Sequence, residues 1–254
     1  MIITVTNQKG GTGKTTTSIN LASYLAKLGK KVLLVDLDPQ SNATSGLGFE
    51  LGDKAGLYEL MMDENIPLSH SIHTTRSSKL DIIAGTADVA GIGVELVNMP
   101  RREYVLMDQL QSLNHLYDYI IIDSPPSLGL LTINGLVAAD KIVIPVQCEY
   151  YALEGLGQLL ETIQLIADNL KPDLSVLGAV LTMYDRRNRL SAMVAKEVSK
   201  FFPGYVFDSI IPRNVSLSEA PSFGKAIHDY APLSKGAFAY RKLAQELINI
   251  TSKG

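Results

Sequence analysis

The sequence of 254 residues has little of several features that would each point to another class of protein. It contains one cysteine, Cys148, which excludes a disulfide framework or a multi-cysteine zinc or iron–sulfur site within one chain. No apolar run approaches the roughly 20 residues of a membrane span, and the first residues follow a strand pattern instead of a signal peptide. We therefore expect a cytoplasmic protein without stable membrane association, with Cys148 inert near a strand end.

Basic charge is also scarce. The net charge is −3, so composition alone does not indicate a nucleic-acid-binding protein. Residues 1–150 contain 11 Lys and Arg against 16 Asp and Glu, whereas residues 151–254 contain 12 against 10. Any contact with DNA must therefore come from a local basic patch, and we expect that patch in the second part of the chain.

The sequence does have a regular alternation of β-branched runs and helical stretches. Strands are predicted at 2–6, 32–35, 80–84, 119–122, 141–146, 176–181 and 206–210. Helices are predicted at 15–28, 87–96, 102–113, 152–169, 191–201 and 234–250. Several strands are apolar on both faces, which is typical of parallel strands covered by helices. This pattern predicts one α/β domain over residues 1–254, with a doubly wound, mostly parallel sheet and helices on both faces.

A glycine-rich segment lies between the first predicted strand and the first predicted helix. Its glycines allow a tight turn that aims backbone N–H groups at phosphate oxygens, and the helix dipole adds positive charge. Lys14 is placed to reach the β- and γ-phosphates of a nucleotide, and Thr15 to ligate Mg²⁺. The segment therefore predicts a P-loop, and a glycine turn with solvated lysines is a poor alternative. The predicted nucleotide-binding residues are Lys9, Gly10, Gly11, Thr12, Gly13, Lys14, Thr15 and Thr16.

Carboxylates follow two of the predicted strands. Asp36 and Asp38 come just after the second strand, and Asp123 ends an apolar run in the Walker B pattern. Ligands of α/β sheets bind beyond the carboxyl ends of the strands, so these three side chains are expected near the phosphates. We predict Thr15, Asp36 and Asp123 as the Mg²⁺ site and Asp38 as the group that orients the attacking water. Taken alone, each acidic strand end would be an ordinary surface turn.

One position departs from the standard P-loop pattern, because Gln8 replaces a glycine and a second lysine, Lys9, follows it. This resembles the deviant Walker A motif, and the whole chain resembles ParA/Soj-type partition ATPases of the MinD/ParA group. The resemblance is strongest in residues 9–17, 35–48, 120–134, 144–155 and 211–224. It implies an ATP-bound sandwich dimer that binds DNA without sequence preference, is nucleoid-associated, and is released when a ParB-type protein stimulates hydrolysis. The cargo of such systems is a chromosome, a plasmid or another large assembly.

The same resemblance assigns roles to individual residues. Lys9 corresponds to the signature lysine that reaches the partner's nucleotide, Lys14 to the P-loop lysine and Asp38 to the catalytic aspartate. Pro212 and Asn214 correspond to the contacts on the adenine side. The chain starts directly at the first strand, so we expect no N-terminal domain that reads a specific DNA sequence.

A short basic run provides the candidate DNA contacts, namely Arg186, Arg187 and Arg189, with Arg213 further along the chain. Relatives often carry arginine at the position of Ser216, which instead predicts a helix N-cap in a capping box with Glu219. DNA binding is therefore expected either to be weaker or to rely on these arginines. Tyr150 and Tyr151 are predicted to pack in the core or in an interface.

Two other functions remain as alternatives. A MinD-like membrane-cycling ATPase would need a basic amphipathic helix at the C-terminus, but the basic residues of this tail are few. Phe238, Leu243, Leu247 and Ile250 indicate instead a helix packed on the core. A metabolic P-loop ligase or kinase would need a separate substrate pocket with its own acid–base residues, and the sequence shows no such set.

Overall fold

The computed structural model describes residues 1–63, 65–149 and 152–252, so Tyr150 and Tyr151 lie outside the described residues. Seven strands form one sheet in the order β3-β4-β2-β5-β1-β6-β7. All neighbouring strands are parallel except β3, which is antiparallel to β4. The predicted doubly wound, mostly parallel sheet is confirmed. The strands are β1 (Ile2–Val5), β2 (Val32–Asp36), β3 (His73–Thr74), β4 (Leu80–Ile83), β5 (Tyr119–Asp123), β6 (Lys141–Gln147) and β7 (Ser175–Thr182).

Twelve α-helices lie in the described part of the chain. They are α1 (Lys14–Lys27), α2 (Asn42–Gly46), α3 (Leu57–Met62), α4 (Leu68–Ser71), α5 (Val89–Glu95), α6 (Val105–Leu110), α7 (Leu130–Ala138), α8 (Ala152–Asn169), α9 (Arg189–Phe201), α10 (Val215–Glu219), α11 (Ile227–Tyr230) and α12 (Lys235–Thr251). The helices predicted at 87–96 and 102–113 are shorter than expected, and each continues into a 3₁₀ turn.

The sheet separates two hydrophobic cores, because successive side chains of a strand point to opposite faces. Ile120 and Ile122 of β5 face the core that α5 to α9 cover. Ile121, between them, faces the core formed with α1 and α12. This burial on both faces explains why the central strands read as nearly continuous apolar runs.

One predicted strand is wrong. Residues 206–210 do not form a strand of the sheet. The chain there lies along β7, with an isolated bridge from Ala179 to Val206 and hydrogen bonds from the Phe207 and Ile211 N–H groups to the Ala179 and Leu181 carbonyls at 2.9 and 2.8 Å. The backbone N–H groups of Asp208 and Ser209 instead donate to the Glu246 carboxylate of α12, at 2.7 and 3.0 Å. A strand ladder cannot form where a side chain has already taken its donors.

Helix α7 is not among the predicted helices, because most of its residues are apolar or small and give no helical periodicity. Gly135 lies in its middle, where an added Cβ would come within 2.9 Å of the Leu37 side chain. Glycine at this position lets α7 approach the end of β2. The helix thereby packs close to the edge of the sheet where the predicted carboxylates lie.

The C-terminal helix α12 packs against α1, as expected for a core helix. Leu243 and Leu247 are buried and Ile250 is partly buried. Phe238 departs from this expectation, since it is 55% exposed. Cys148 is buried just after β6, and burial raises the pKa of its thiol to about 11, which fits the predicted inert role.

Candidate functional site

The phosphate loop lies near the middle of the sheet, because β1 is flanked by β5 and β6. Gly11 and Gly13 have φ angles of 76° and 90°, in the left-handed region that residues with side chains rarely adopt. Gly13 immediately precedes α1, which begins at Lys14. The loop therefore presents backbone N–H groups beside the positive end of a helix dipole, an arrangement suited to binding phosphates.

The two lysines of the loop have different environments. Lys14 is 6% exposed, and its ammonium donates to the Lys9 carbonyl at 3.2 Å. Burial lowers the pKa of Lys14, and the charges of Asp123 and Asp38 oppose this shift. The Lys9 side chain is 38% exposed, and its Nζ lies 4.0 Å from Oε2 of Glu149. One cation thus lies inside the loop, and the other lies at the surface.

Residues distant in sequence hold the loop in place. The Asn7 side chain accepts from the Lys9 N–H at 3.0 Å and donates to the Pro145 carbonyl at 2.7 Å. The Thr182 hydroxyl, at the end of β7, donates to the Thr12 carbonyl at 2.8 Å. Thr182 is not among the predicted site residues, because 170 residues separate it from Thr12 and no local pattern marks the contact.

Asp36 and Asp123 end the neighbouring strands β2 and β5, where they pair in register and are fully buried. Asp36 accepts from the N–H and the hydroxyl of Thr44 at 2.8 and 2.7 Å, and Asp123 accepts from the Ser18 hydroxyl at 2.8 Å. Within the described residues, Asp36 Oδ1 and Asp123 Oδ2 are buried without a hydrogen-bond partner. Two such carboxylate oxygens beside a phosphate loop fit Mg²⁺ or the waters bound to it.

Both buried carboxyls have raised pKa values. Burial raises the pKa of Asp36 to about 6. Burial also raises the pKa of Asp123 to about 8, the charge of Asp36 adds to this shift, and the hydroxyls of Thr15 and Ser18 oppose it. A cation beside these groups favours their charged forms, so bound Mg²⁺ would lower both pKa values. The donor chemistry of Thr15, Asp36 and Asp123 is therefore suited to the metal.

A cavity of about 330 Å³ opens above the loop. Six of the eight predicted loop residues line it: Gly10, Gly11, Gly13, Lys14, Thr15 and Thr16. Asp38 is the one carboxylate among its described lining residues, and its Oδ1 accepts from the Gln40 N–H at 3.0 Å. Asp36 is instead engaged by Thr44 below the cavity. Of these two neighbouring carboxylates, Asp38 is the one that lines the cavity.

A second cavity, of about 340 Å³, adjoins the first and shares Gly13, Thr16 and Met183 with it. Pro212 and Asn214, the predicted adenine contacts, both line this second cavity. Asn214 Oδ1 is buried without a hydrogen-bond partner within the described residues, so it can accept from an amino group. The predicted phosphate and adenine contacts thus line two adjoining cavities.

The predicted DNA-binding arginines are all exposed, but they are not equivalent. Arg187 Nη2 lies 3.1 Å from Asp185 Oδ2, and Arg213 Nη2 lies 3.3 Å from Glu149 Oε1. No ion pair holds Arg186 or Arg189 within the residues that the structure describes. Of the four predicted DNA-binding arginines, Arg187 and Arg213 are therefore held by neighbouring acids, and Arg186 and Arg189 are not.

The predicted N-cap at Ser216 is wrong. Helix α10 begins at Val215 with Asn214 as its N-cap, so Ser216 lies inside the first turn. The Glu219 carboxylate accepts from the Tyr230 hydroxyl at 3.1 Å. The chain turns into this helix two residues earlier than the capping pattern indicates, because Asn214 takes the extended conformation of the N-cap.

Comparison with known proteins agrees with this geometry. A family model described as an AAA domain matches residues 1–176. Sporulation initiation inhibitor protein Soj of Bacillus subtilis is 53% identical over 97% of each chain. Chromosome partitioning protein ParA of Myxococcus xanthus is 51% identical over 97% of this chain and 87% of its own. The chain belongs to the ParA/Soj family of chromosome-partitioning ATPases.

Solved structures similar to this ParA/Soj chain include nucleotide complexes. Cobyrinic acid a,c-diamide synthase of Mycobacterium smegmatis, with an ATP analogue and magnesium, is 36% identical with a TM-score of 0.86 and covers 100% of this chain and 96% of its own. The septum site-determining protein MinD of Pyrococcus horikoshii, with Mg-ADP, is 28% identical with a TM-score of 0.80 and covers 99% and 97%. The chain is accordingly an ATPase that uses ATP and Mg²⁺.

None of the described helices of this ParA/Soj chain combines the length and the apolar character that crossing a membrane needs.

Proposed function

We propose that the chain drives partition through an ATP-bound sandwich dimer that binds DNA without sequence preference. The dimer is released when a ParB-type protein stimulates hydrolysis, and the cargo is a chromosome, a plasmid or another large assembly. The observation that supports this most is the contrast between the lysines of the loop. Lys14 lines the phosphate cavity, whereas the half-exposed Lys9 is not among its lining residues. A loop lysine at the surface is available to a second copy of the chain.

In this proposal each charged residue of the site has a separate task. Lys14 and the loop N–H groups neutralise the β- and γ-phosphates, and Lys9 reaches the phosphates bound by the other chain. Thr15 and Asp123 would hold Mg²⁺, and Asp36 would support them as the third member of the Mg²⁺ site. The metal would neutralise charge at the phosphate oxygens. Pro212 and Asn214 hold the base in the second cavity.

Asp38 orients the water that attacks the γ-phosphate. Its carboxylate lies in the phosphate cavity and is held by the Gln40 N–H, so it is ready to accept from a water molecule. Phosphoryl transfer depends mainly on positioning and charge, so a single misplaced group is enough to slow it. Hydrolysis removes the γ-phosphate that both chains grip, and the dimer then separates.

DNA binding is assigned to Arg186, Arg187, Arg189 and Arg213. Arginine contacts to phosphates give affinity without reading the sequence of the bases, and such binding falls steeply with salt. On the nucleoid, the ATP dimer would be retained until a stimulating protein triggers hydrolysis.

The main test is size-exclusion chromatography of Asp38→Ala with ATP or with ADP, in the presence and absence of non-specific DNA. We expect this variant to elute as a dimer with ATP and to stay on DNA, and to elute as a monomer with ADP. The wild-type protein should pass through the same dimer only transiently. Rapid hydrolysis by the variant would contradict the role of Asp38, and a monomer with both nucleotides would contradict the dimer.

A second candidate function is an ATP-dependent synthase, which the M. smegmatis structure favours at 36% identity. The partition proteins are more similar, at 51–53% identity. Measuring ATP turnover with DNA and a ParB-type protein, and separately with amide-forming small substrates, distinguishes the two functions.

A MinD-like membrane cycle is the other alternative. The buried Leu243 and Leu247 of α12 argue against it, and flotation of the protein with liposomes and ATP is its test.

A further inference from the structure

Glu149 lies between two cations that have separate tasks in the proposed cycle. Its Oε2 is 4.0 Å from the Lys9 ammonium, and its Oε1 is 3.3 Å from Nη2 of Arg213. Each oxygen of one carboxylate therefore faces a different cation. Lys9 belongs to the phosphate loop and Arg213 to the segment that lines the base cavity, so this acid connects the two ends of the nucleotide site.

The backbone holds all three side chains in this arrangement. Glu149 follows β6, and its N–H donates to the Gln147 carbonyl at 2.8 Å, which turns the chain sharply. The Arg213 N–H donates to the Tyr184 carbonyl at 3.0 Å, and the Lys9 N–H donates to the Asn7 side chain at 3.0 Å. Fixed backbones reduce the entropy that two ion pairs would otherwise cost.

We propose that Glu149 is an autoinhibitory latch of the ligand-free chain, an inference that rests on the proposed dimer and DNA cycle. It holds Lys9 back from the phosphates of a second chain and Arg213 back from DNA. The same acid thus opposes both dimer formation and DNA binding. Each ion pair breaks when a phosphate group takes the place of the Glu149 carboxylate: a phosphate of the partner chain's nucleotide at Lys9, or a DNA phosphate at Arg213.

The exposure of these side chains determines how strong the latch is. Lys9, Glu149 and Arg213 have side chains that are 38%, 46% and 61% exposed. Ion pairs at such sites are screened by water, so each one shifts an equilibrium by about two- to fivefold. A triphosphate carries several negative charges and displaces a single carboxylate easily. The latch therefore suppresses premature pairing without preventing the ATP-bound dimer.

The test uses Glu149→Gln, which keeps the shape of the side chain and removes its charge. Dimer formation is titrated with a non-hydrolysable ATP analogue by analytical ultracentrifugation, and DNA affinity is measured by fluorescence anisotropy at several salt concentrations. We expect the analogue concentration at half-maximal dimer to fall about two- to fivefold, and DNA affinity to rise by a similar factor. The slope of log affinity against log salt should steepen by about 0.9, corresponding to one additional phosphate contact.

Two variants control for the change in net charge. Asp185→Asn removes the acid that pairs with Arg187 and also attracts Arg213, so it should raise DNA affinity. It should leave the dimer titration unchanged, because Lys9 pairs with Glu149 instead. Glu161→Gln makes the same charge change on the exposed side of α8 and should alter neither measurement. Adding Arg213→Ala to Glu149→Gln should abolish the gain in DNA affinity and keep the shift in the dimer titration. Thermal unfolding of every variant confirms that the fold is intact.

The outcomes separate the latch from the proposed function. If wild-type protein forms analogue-bound dimers that bind DNA, and Glu149→Gln matches wild type or dimerises less readily, the latch is overturned and the proposed function stands. If wild-type protein neither dimerises nor binds DNA, the proposed function fails and the latch fails with it. A gain in DNA affinity that survives Arg213→Ala would also overturn the assigned contact.

Discussion

The phosphate loop and the arginine-rich loop at residues 185–189, which we propose contacts DNA, hold their cations differently. Lys14 is 6% exposed and hydrogen-bonded within the loop. The Arg187 side chain is 91% exposed, and among the residues that the structure describes Asp185 alone pairs with it. The first site is preorganised by burial, so its charges act strongly and in one geometry. The second is solvated, so neighbouring acids and salt control it.

The largest effect is expected where the cation is most buried. Lys14→Ala should weaken ATP binding at least about 100-fold, because it removes charge-assisted hydrogen bonds to the phosphates from a site shielded from water. Isothermal titration calorimetry with ATP and Mg²⁺ measures the loss. Thermal unfolding without nucleotide serves as the control, since the variant should remain folded. ATP affinity close to that of the wild type would contradict the role of Lys14.

The exposed lysine of the same loop should behave differently. Lys9→Ala is expected to leave ATP affinity within about threefold of the wild type, because its side chain does not line the phosphate cavity. It should reduce dimer formation by at least about tenfold, since the partner's phosphates lose a cation. Calorimetry and analytical ultracentrifugation on the same sample measure both quantities. Equal losses in both would mean that Lys9 binds the nucleotide of its own chain.

The buried carboxylates predict a pH dependence. Burial raises the pKa of Asp123 to about 8, so the stability linked to this group is fully present below its unfolded pKa and is lost as pH rises through about 8. Asp123→Asn cannot ionise, so its stability relative to the wild type should increase between pH 5 and pH 9. The gain should amount to roughly a few kcal/mol, measured by urea unfolding without nucleotide or metal.

Two controls sharpen the pH prediction. The exposed Asp173 should give no comparable trend when it is replaced by Asn. In the presence of ATP and Mg²⁺ the order should reverse, because the wild type then gains binding energy that the variant lacks. A pH-independent difference between Asp123→Asn and the wild type would contradict the raised pKa.

The smallest effects are expected in the arginine loop. Replacing Arg186 or Arg189 by Ala should weaken DNA binding by a few-fold and reduce the salt slope by about 0.9 each. Arg187→Ala should have a smaller effect, because Asp185 already neutralises this side chain. Fluorescence anisotropy with duplexes of unrelated sequence measures all three. Equal losses for the three variants would show that DNA displaces Asp185 at little cost.

The phosphate loop was predictable because its signal is contiguous. Lys14 and Thr15 lie directly after three glycines within one turn, and Asp123 ends an unbroken apolar run. The roles of Thr182, Ser18 and Thr44 were not predictable. Their hydroxyls bond to Thr12, Asp123 and Asp36, which lie 170, 105 and 8 residues away, and no local spacing marks these contacts.

The errors in the predicted elements also have physical causes. The β-branched residues of 206–210 favour a strand, but Glu246 of α12 takes the backbone donors that a ladder would need. The family resemblance predicts Pro212 and Asn214 as adenine contacts, and both line the second cavity. Met183 also lines this cavity, but no sequence pattern predicts it. Met183 has a φ angle of 52°, which a residue with a side chain rarely adopts, and a sequence does not show which non-glycine residue will accept it.

The two edges of the sheet have a consequence for the proposed dimer. At one side the last strand, β3, is only two residues long, and at the other the segment around Val206 and Pro212 lies along β7. A protein that must pair and part repeatedly would be trapped if strands of two copies joined edge to edge, because such ladders grow and separate slowly. Because one edge strand is short and the other edge is covered, the proposed dimer would have to form through surfaces other than the sheet edges, where bound nucleotide can control it.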